Sequence, residues 1–165
     1  MTVQVYVGTY AKYNAGSIAG AWINLEDHTA DSFAEACAKL HKDESDPELM
    51  FQDFEGFPRA MYCESSVSDA LWAWIELDED DRELLEVYQD NICAEGDIDD
   101  ARDAFHGVHD SPEDYAQDYI ESTGMLSDVP ASIAQYFDYE AFARDMSFDG
   151  VTFARHNGSV WVFSS

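Results

Sequence analysis

The sequence predicts an α+β protein built as an elongated chain of three small domains. Three observations predict it. Alternating valines open the chain, helical stripes with clear caps fill its middle, and an Asn-Gly pair between two apolar runs closes it. At 165 residues, 46% of them hydrophobic and 14% aromatic, the chain is far too apolar for a disordered acidic segment despite a net charge of −27.

In "TVQVYVGTY" Val3, Val5 and Val7 alternate, and after the turn-prone "KYNAGS" the run "IAGAWINL" alternates again, which predicts a hairpin. Ser32 and Glu35 form a capping-box pattern ahead of Phe33, Cys37 and Leu40, a short helix to about His41. "DESDPE" is a polar break, and "ELMFQDFEGF" reads as a third strand ending at Gly56 and Pro58. Residues 1–60 are thus expected to form an N-terminal α+β domain.

Residues 61–105 read as a central acidic helical domain. Ser66 and Asp69 can cap a helix carrying Leu71, Trp72 and Ile75. A second helix starts near Asp80, with Leu84, Tyr88 and Ile92 on one stripe. Residues 106–165 are expected to form a C-terminal α+β domain. Within it Ser111, Pro112 and Gly124 punctuate the helix "SPEDYAQDYIESTG". One or two short helices and a hairpin turning at Asn157-Gly158 follow.

The charge is uneven. All 35 acids lie between Glu26 and Asp149, and from Glu76 to Glu121 eighteen acids face only Arg82 and Arg102. On the second central helix Glu79, Glu83, Glu86 and Asp90 repeat at four, three and four residues. Asp114, Asp118 and Glu121 do the same on the next long helix. Like charges so spaced repel by about 0.2–0.5 kcal/mol per pair. The pattern therefore opposes the isolated helix. Such a field excludes nucleic acid and anionic membranes as partners and attracts cationic surfaces. A solvated face, or adaptation to high salt, would spread the acids over the whole chain instead of leaving both ends nearly neutral.

Chemistry motifs are absent: there is no P-loop, no G-x-G-x-x-G, no G-x-S-x-G and no H-E-x-x-H. "HGVHD", His106 to Asp110, offers two imidazoles but no further ligand, and is read as an ordinary turn. "DESDPELMFQD" and "EGDIDDARDAF" lack the glycine and terminal glutamate of a calcium loop. Cys37, Cys63 and Cys93 form neither a C-x-x-C pair nor an even framework. No catalytic residue, metal or cofactor is expected. With no signal segment and no membrane-length apolar run, a cytoplasmic protein is expected.

These features point to imitation of a polyanion. Duplex DNA carries one charge per about 1.7 Å, so 27 net charges match about 46 Å of duplex. A single helical row is sparser than a DNA strand, so neighbouring acids must fill the gaps. The expected partner-binding acids are Asp78, Glu79, Asp80, Asp81, Glu83, Glu86, Asp90, Asp97, Asp99, Asp100, Asp103, Asp110, Glu113, Asp114, Asp118 and Glu121. An acidic chaperone or binding module for basic nucleoid proteins is the alternative. From Met125 to Ser165 there are five acids, two arginines and eight aromatics, so self-association meets least repulsion there.

The stretches "VYVGTYAKYNAGSIAGAWINL", "LHKDESDPELMFQDFEGFP" and "DVPASIAQYFDYEAFARDM" resemble the ArdA family of antirestriction proteins over nearly the whole chain. The resemblance implies three small domains and a homodimer joined through the C-terminal one. It further implies an acidic surface like bent B-form DNA. Asp128, Val129, Pro130, Tyr136, Phe137, Tyr139 and Phe142 fall in the region of the family's antirestriction motif, where they are expected as core or dimer contacts. The implied partner is a Type I restriction–modification complex, the methyltransferase core with its specificity subunit. Such genes travel on mobile genetic elements.

Overall fold

A computed structural model describes residues 1–165. Two compact units divide the chain, Met1–Asp78 and Glu79–Ser165. Both are α+β, each with one three-stranded antiparallel sheet.

In the first unit β1 (Gln4–Thr9) lies between β2 (Ala21–Asn24) and β3 (Leu49–Glu55). Its alternation sends Val3, Val5 and Val7 wholly inward. Val5 stands opposite Ile23 on one side and Phe54 on the other. The two alternating runs do pair, but the link is longer than a tight turn. Thr9 caps an inserted helix, α1 (Tyr10–Asn14), by accepting from the Lys12 amide.

The next helix, α2 (Ala30–Leu40), corrects the expected cap. Thr29 is the N-cap, and Ser32 sits one turn inside the helix: each hydroxyl accepts the other residue's backbone N–H. Thr29 has extended backbone and can serve as cap, whereas Ser32 is already helical. Phe33 and Cys37, four residues apart, face the core. The Phe33 ring meets Phe51 and Trp72 edge-on, each at 5.9 Å. Trp72 belongs to α3 (Asp69–Ile75), which Ser68 caps. Strand β3 ends as expected at Gly56. Its φ of +83° and the Thr2 carbonyl oxygen, 2.1 Å from where a Cβ would stand, leave room only for glycine.

His41 closes α2 and is buried, with each ring nitrogen engaged. The Lys12 ammonium donates to Nδ1 at 2.8 Å, so Nε2 carries the hydrogen and donates to the Val7 carbonyl at 3.2 Å. The same ammonium meets Asp43 at 2.9 Å and holds its carboxyl below the ordinary carboxylate range. Thr9 donates to Glu44. A buried polar group is thereby satisfied where α2 returns to β1.

The second unit holds α4 (Glu79–Asn91), α5 (Ile98–Ala104), β4 (Phe105–His109), α6 (Pro112–Thr123), α7 (Ala131–Ala134), α8 (Tyr139–Phe148), β5 (Val151–His156) and β6 (Ser159–Ser164). The two-residue turn Asn157-Gly158, with φ of +49° and +80°, joins β5 to β6 as the sequence predicts. Strand β6 is central, between β4 and β5, and its alternation divides the core. Val160 and Val162 pack with Tyr115 of α6 and Met146 of α8. Phe163 and Ala154 pack with Leu84, Val87 and Tyr88 of α4 and Ala101 of α5. The sheet is therefore covered by helices on both faces. Helix α6 begins at its Ser111 cap with Pro112 in the first turn and ends at left-handed Gly124, again as read.

Strand β4 corrects the expectation of an ordinary turn at "HGVH". Phe105 pairs with Phe163 and His109 with Val160, while a bulge at Gly107 breaks the alternation that would have betrayed a strand.

Thr29→Ala should lower stability by about 1 kcal/mol through loss of the cap. Glu35→Ala should leave it nearly unchanged. Thermal unfolding of the two variants checks which residue begins α2.

Candidate functional site

Most of the expected partner acids lie on α4, α5 and α6. Helix α4 turns Leu84, Val87 and Tyr88 to the sheet and leaves Glu79, Asp80, Glu86 and Asp90 exposed. Successive acids of its row stand about 4.5–6 Å apart along the axis. On α6, Tyr115, Ala116 and Ile120 are buried, and Glu113, Asp114, Asp118 and Glu121 are exposed. Asp97, Asp99, Asp100 and Asp103 are exposed at and along α5, as are Asp78 and Asp110 in the connections. Of the expected acids only Asp81 and Glu83 are half-buried.

Several carboxylates also serve the fold. Asp97 and Asp100 form the capping box of α5, each accepting the other's backbone N–H. Asp114 accepts from the Ser111 hydroxyl, and Glu121 from Gln117. Arg102 donates twice to Asp81 and once to Asp99 across α4 and α5. His109, packed on Tyr115, lies 3.5 Å from Asp118. Glu83 accepts from His156 at 2.9 Å and from Asn157 at 3.0 Å. Glu79, Asp80, Glu86, Asp90, Asp103, Asp110 and Glu113 make no side-chain hydrogen bond or ion pair. They remain open to an outside cation. The histidine partners carried no signal in the sequence, because the residues that meet are 73 positions apart for Glu83 and His156.

The aromatic segment divides. Phe137 packs on Tyr139 at 5.0 Å and on Phe142 at 5.7 Å, and Phe142 meets Tyr119 of α6. Tyr136, by contrast, is 81% exposed. Pro130 precedes α7, and Asp128 is exposed beside half-buried Val129. The two imidazoles of "HGVHD" are drawn to separate partners, His106 to Ser164 and His109 to Asp118. No group of three or more His, Cys, Asp or Glu side chains is arranged to hold a metal ion. No helix is long and apolar enough to cross a membrane.

With this arrangement in view, comparison with known proteins decides the family. The sequence profile described as "Antirestriction protein (ArdA)" matches residues 5–160. The chain belongs to the ArdA family. Membership implies an antirestriction function, exercised on restriction–modification enzymes and without catalysis. No curated protein matches the chain.

Two of the three thiols of this ArdA chain are shifted in opposite directions. The Ser65 N–H, the Ser66 hydroxyl at 3.4 Å and the Ser66 N–H hydrogen-bond to exposed Cys63 and pull its thiol down to about 7. Burial pushes the Cys37 thiol up to about 11. The rate of iodoacetamide labelling at Cys63 should rise through about pH 7 and level off above it. Cys37 should label last, and Ser66→Ala should move the Cys63 midpoint upward.

A second expectation comes from the helix ends. Glu86 and Asp90 approach the negative end of the α4 dipole, so Glu86→Lys with Asp90→Lys should raise stability, by about 0.3–1 kcal/mol per site. Equilibrium denaturation of the double variant measures it.

Proposed function

We propose that this ArdA chain mimics B-form DNA. It occupies the DNA-binding cleft of Type I restriction–modification enzymes, the methyltransferase core with its specificity subunit, in competition with DNA. The observation that supports this most directly is the recurrence of outward carboxylates at helical spacing on α4 and α6, above an apolar stripe that faces the sheet. The second unit carries 21 acids and four arginines, a net of −17. Lysines and arginines that hold phosphates can meet these carboxylates instead. Since Asp and Glu present no base edges, inhibition is independent of target sequence.

The partner acids are those exposed on α4, α5, α6 and their connections, and the active form is a homodimer joined through Met125–Ser165. Exposure of Met125, Ile133, Tyr136 and Phe148, among few acids, supports that assignment. Phe142 instead packs on Tyr119 of α6, and Phe137 packs on Tyr139 and Phe142, within one chain.

The test is competition between this protein and DNA for a purified Type I enzyme. Inhibition should be stoichiometric, relieved by added DNA, equal for enzymes of different specificity and weakened by salt. Glu86→Lys with Asp90→Lys, although better folded, should inhibit at least about tenfold less well, roughly two exposed charge contacts. Inhibition that added DNA does not relieve would sink the proposal. Equally tight capture of unrelated basic proteins would favour an acidic chaperone.

A further inference from the structure

One acid of the α4 row is unlike its neighbours. Glu79, Glu86 and Asp90 are exposed and bind no side chain, whereas Glu83 accepts from His156 Nε2 at 2.9 Å and from Asn157 Nδ2 at 3.0 Å. Both donors come from the tip of the β5–β6 hairpin. The His156 ring is fixed in turn, edge-on to Trp161 at 5.6 Å. Asn157 occupies the left-handed position that this turn requires, a conformation that asparagine tolerates, so one residue closes the hairpin and donates to α4.

We propose that Glu83 is a positioning residue: its carboxylate fastens α4 to the hairpin tip and so sets the direction in which Glu79, Glu86 and Asp90 present their charge. The apolar contacts of Leu84, Val87 and Tyr88 hold α4 against the sheet, but dispersion contacts are weakly directional and tolerate rotation about the helix axis. Two hydrogen bonds to a carboxylate at one side of that stripe are directional, and they resist rotation. The electrostatic setting acts the same way. Glu79 and Glu86 repel Glu83 along the helix, and the nearest polar groups on the packed hairpin are the two donors, so the carboxylate is held toward the sheet. Its Oε1 is engaged by the hairpin, whereas the carboxylates of Glu79, Glu86 and Asp90 meet no side chain.

This inference rests on the reading of α4 as part of the enzyme-contacting surface, and the experiment separates the two. The full-length double variant His156→Phe with Asn157→Gly removes no acid, keeps a ring beside Trp161 but no donor, and glycine keeps the left-handed turn. It should inhibit a Type I enzyme about five- to tenfold less well than wild type, the effect of about one ordinary hydrogen bond. The slope of inhibition against salt should stay unchanged, since no cationic contact is lost. Glu83→Gln keeps an oxygen for both donors and should inhibit as wild type, with the same slope. Hydrogen exchange of the α4 amides should quicken in the double variant and not in Glu83→Gln.

A double variant that inhibits as wild type overturns the inference, as does a Glu83→Gln variant with a weaker salt slope, which would place Glu83 in direct contact with the enzyme. If Glu86→Lys with Asp90→Lys also inhibits as wild type, α4 makes no contact and the functional reading of that helix fails with it.

Discussion

Burial of the β6 strand is the constraint on which the second unit depends. Val160, Val162 and Phe163 are fully buried between two helical layers, and α4 and α5 above Phe163 turn mainly carboxylates to water. Each large apolar side chain so buried contributes about 1.5–3 kcal/mol. Each like-charge pair along a helix costs about 0.2–0.5 kcal/mol. The apolar stripe of α4 alone, Leu84, Val87 and Tyr88, therefore offsets the repulsion among the acids behind it. A helix that would not form in isolation is held by what lies beneath it.

The first turns of the helices make the same charge less costly. Glu79, Asp80 and Asp81 stand at the positive end of the α4 dipole, and Glu113 and Asp114 at that of α6. Asp97 and Asp100 bond backbone N–H groups that would otherwise have no partner. Toward the C-terminal ends, where Glu86, Asp90 and Glu121 stand, neither helix has a basic residue in its last turn to relieve the charge. Glu121 is at least bonded by Gln117, whereas Glu86 and Asp90 make no side-chain hydrogen bond within the chain.

Much of the fold was legible in the sequence because its signals are local. Ser111, Pro112 and Gly124 mark both ends of α6, Asn157-Gly158 marks a hairpin, and Val3, Val5 and Val7 mark a buried strand. What escaped was set by distant partners. Strand β4 is short and bulged at Gly107, and becomes a strand only by pairing with β6, more than fifty residues later. Helix α2 starts at Thr29 because two side chains cap reciprocally, a pattern that Ser32 with Glu35 imitates one turn on. At the candidate site, composition revealed the acids and helical spacing their rows. The division of labour among them depends on His109, Arg102, His156 and Asn157, which no pattern around the acids announces.

The parity of β6 has an evolutionary corollary. Even-numbered Val160 and Val162 serve one helical layer, odd-numbered Trp161 and Phe163 the other. Loss or gain of a single codon there would exchange the two sets, offering each layer side chains shaped for its opposite. The final hairpin must therefore keep its count, a constraint that the strand-free stretch between Met125 and Asp138 does not share.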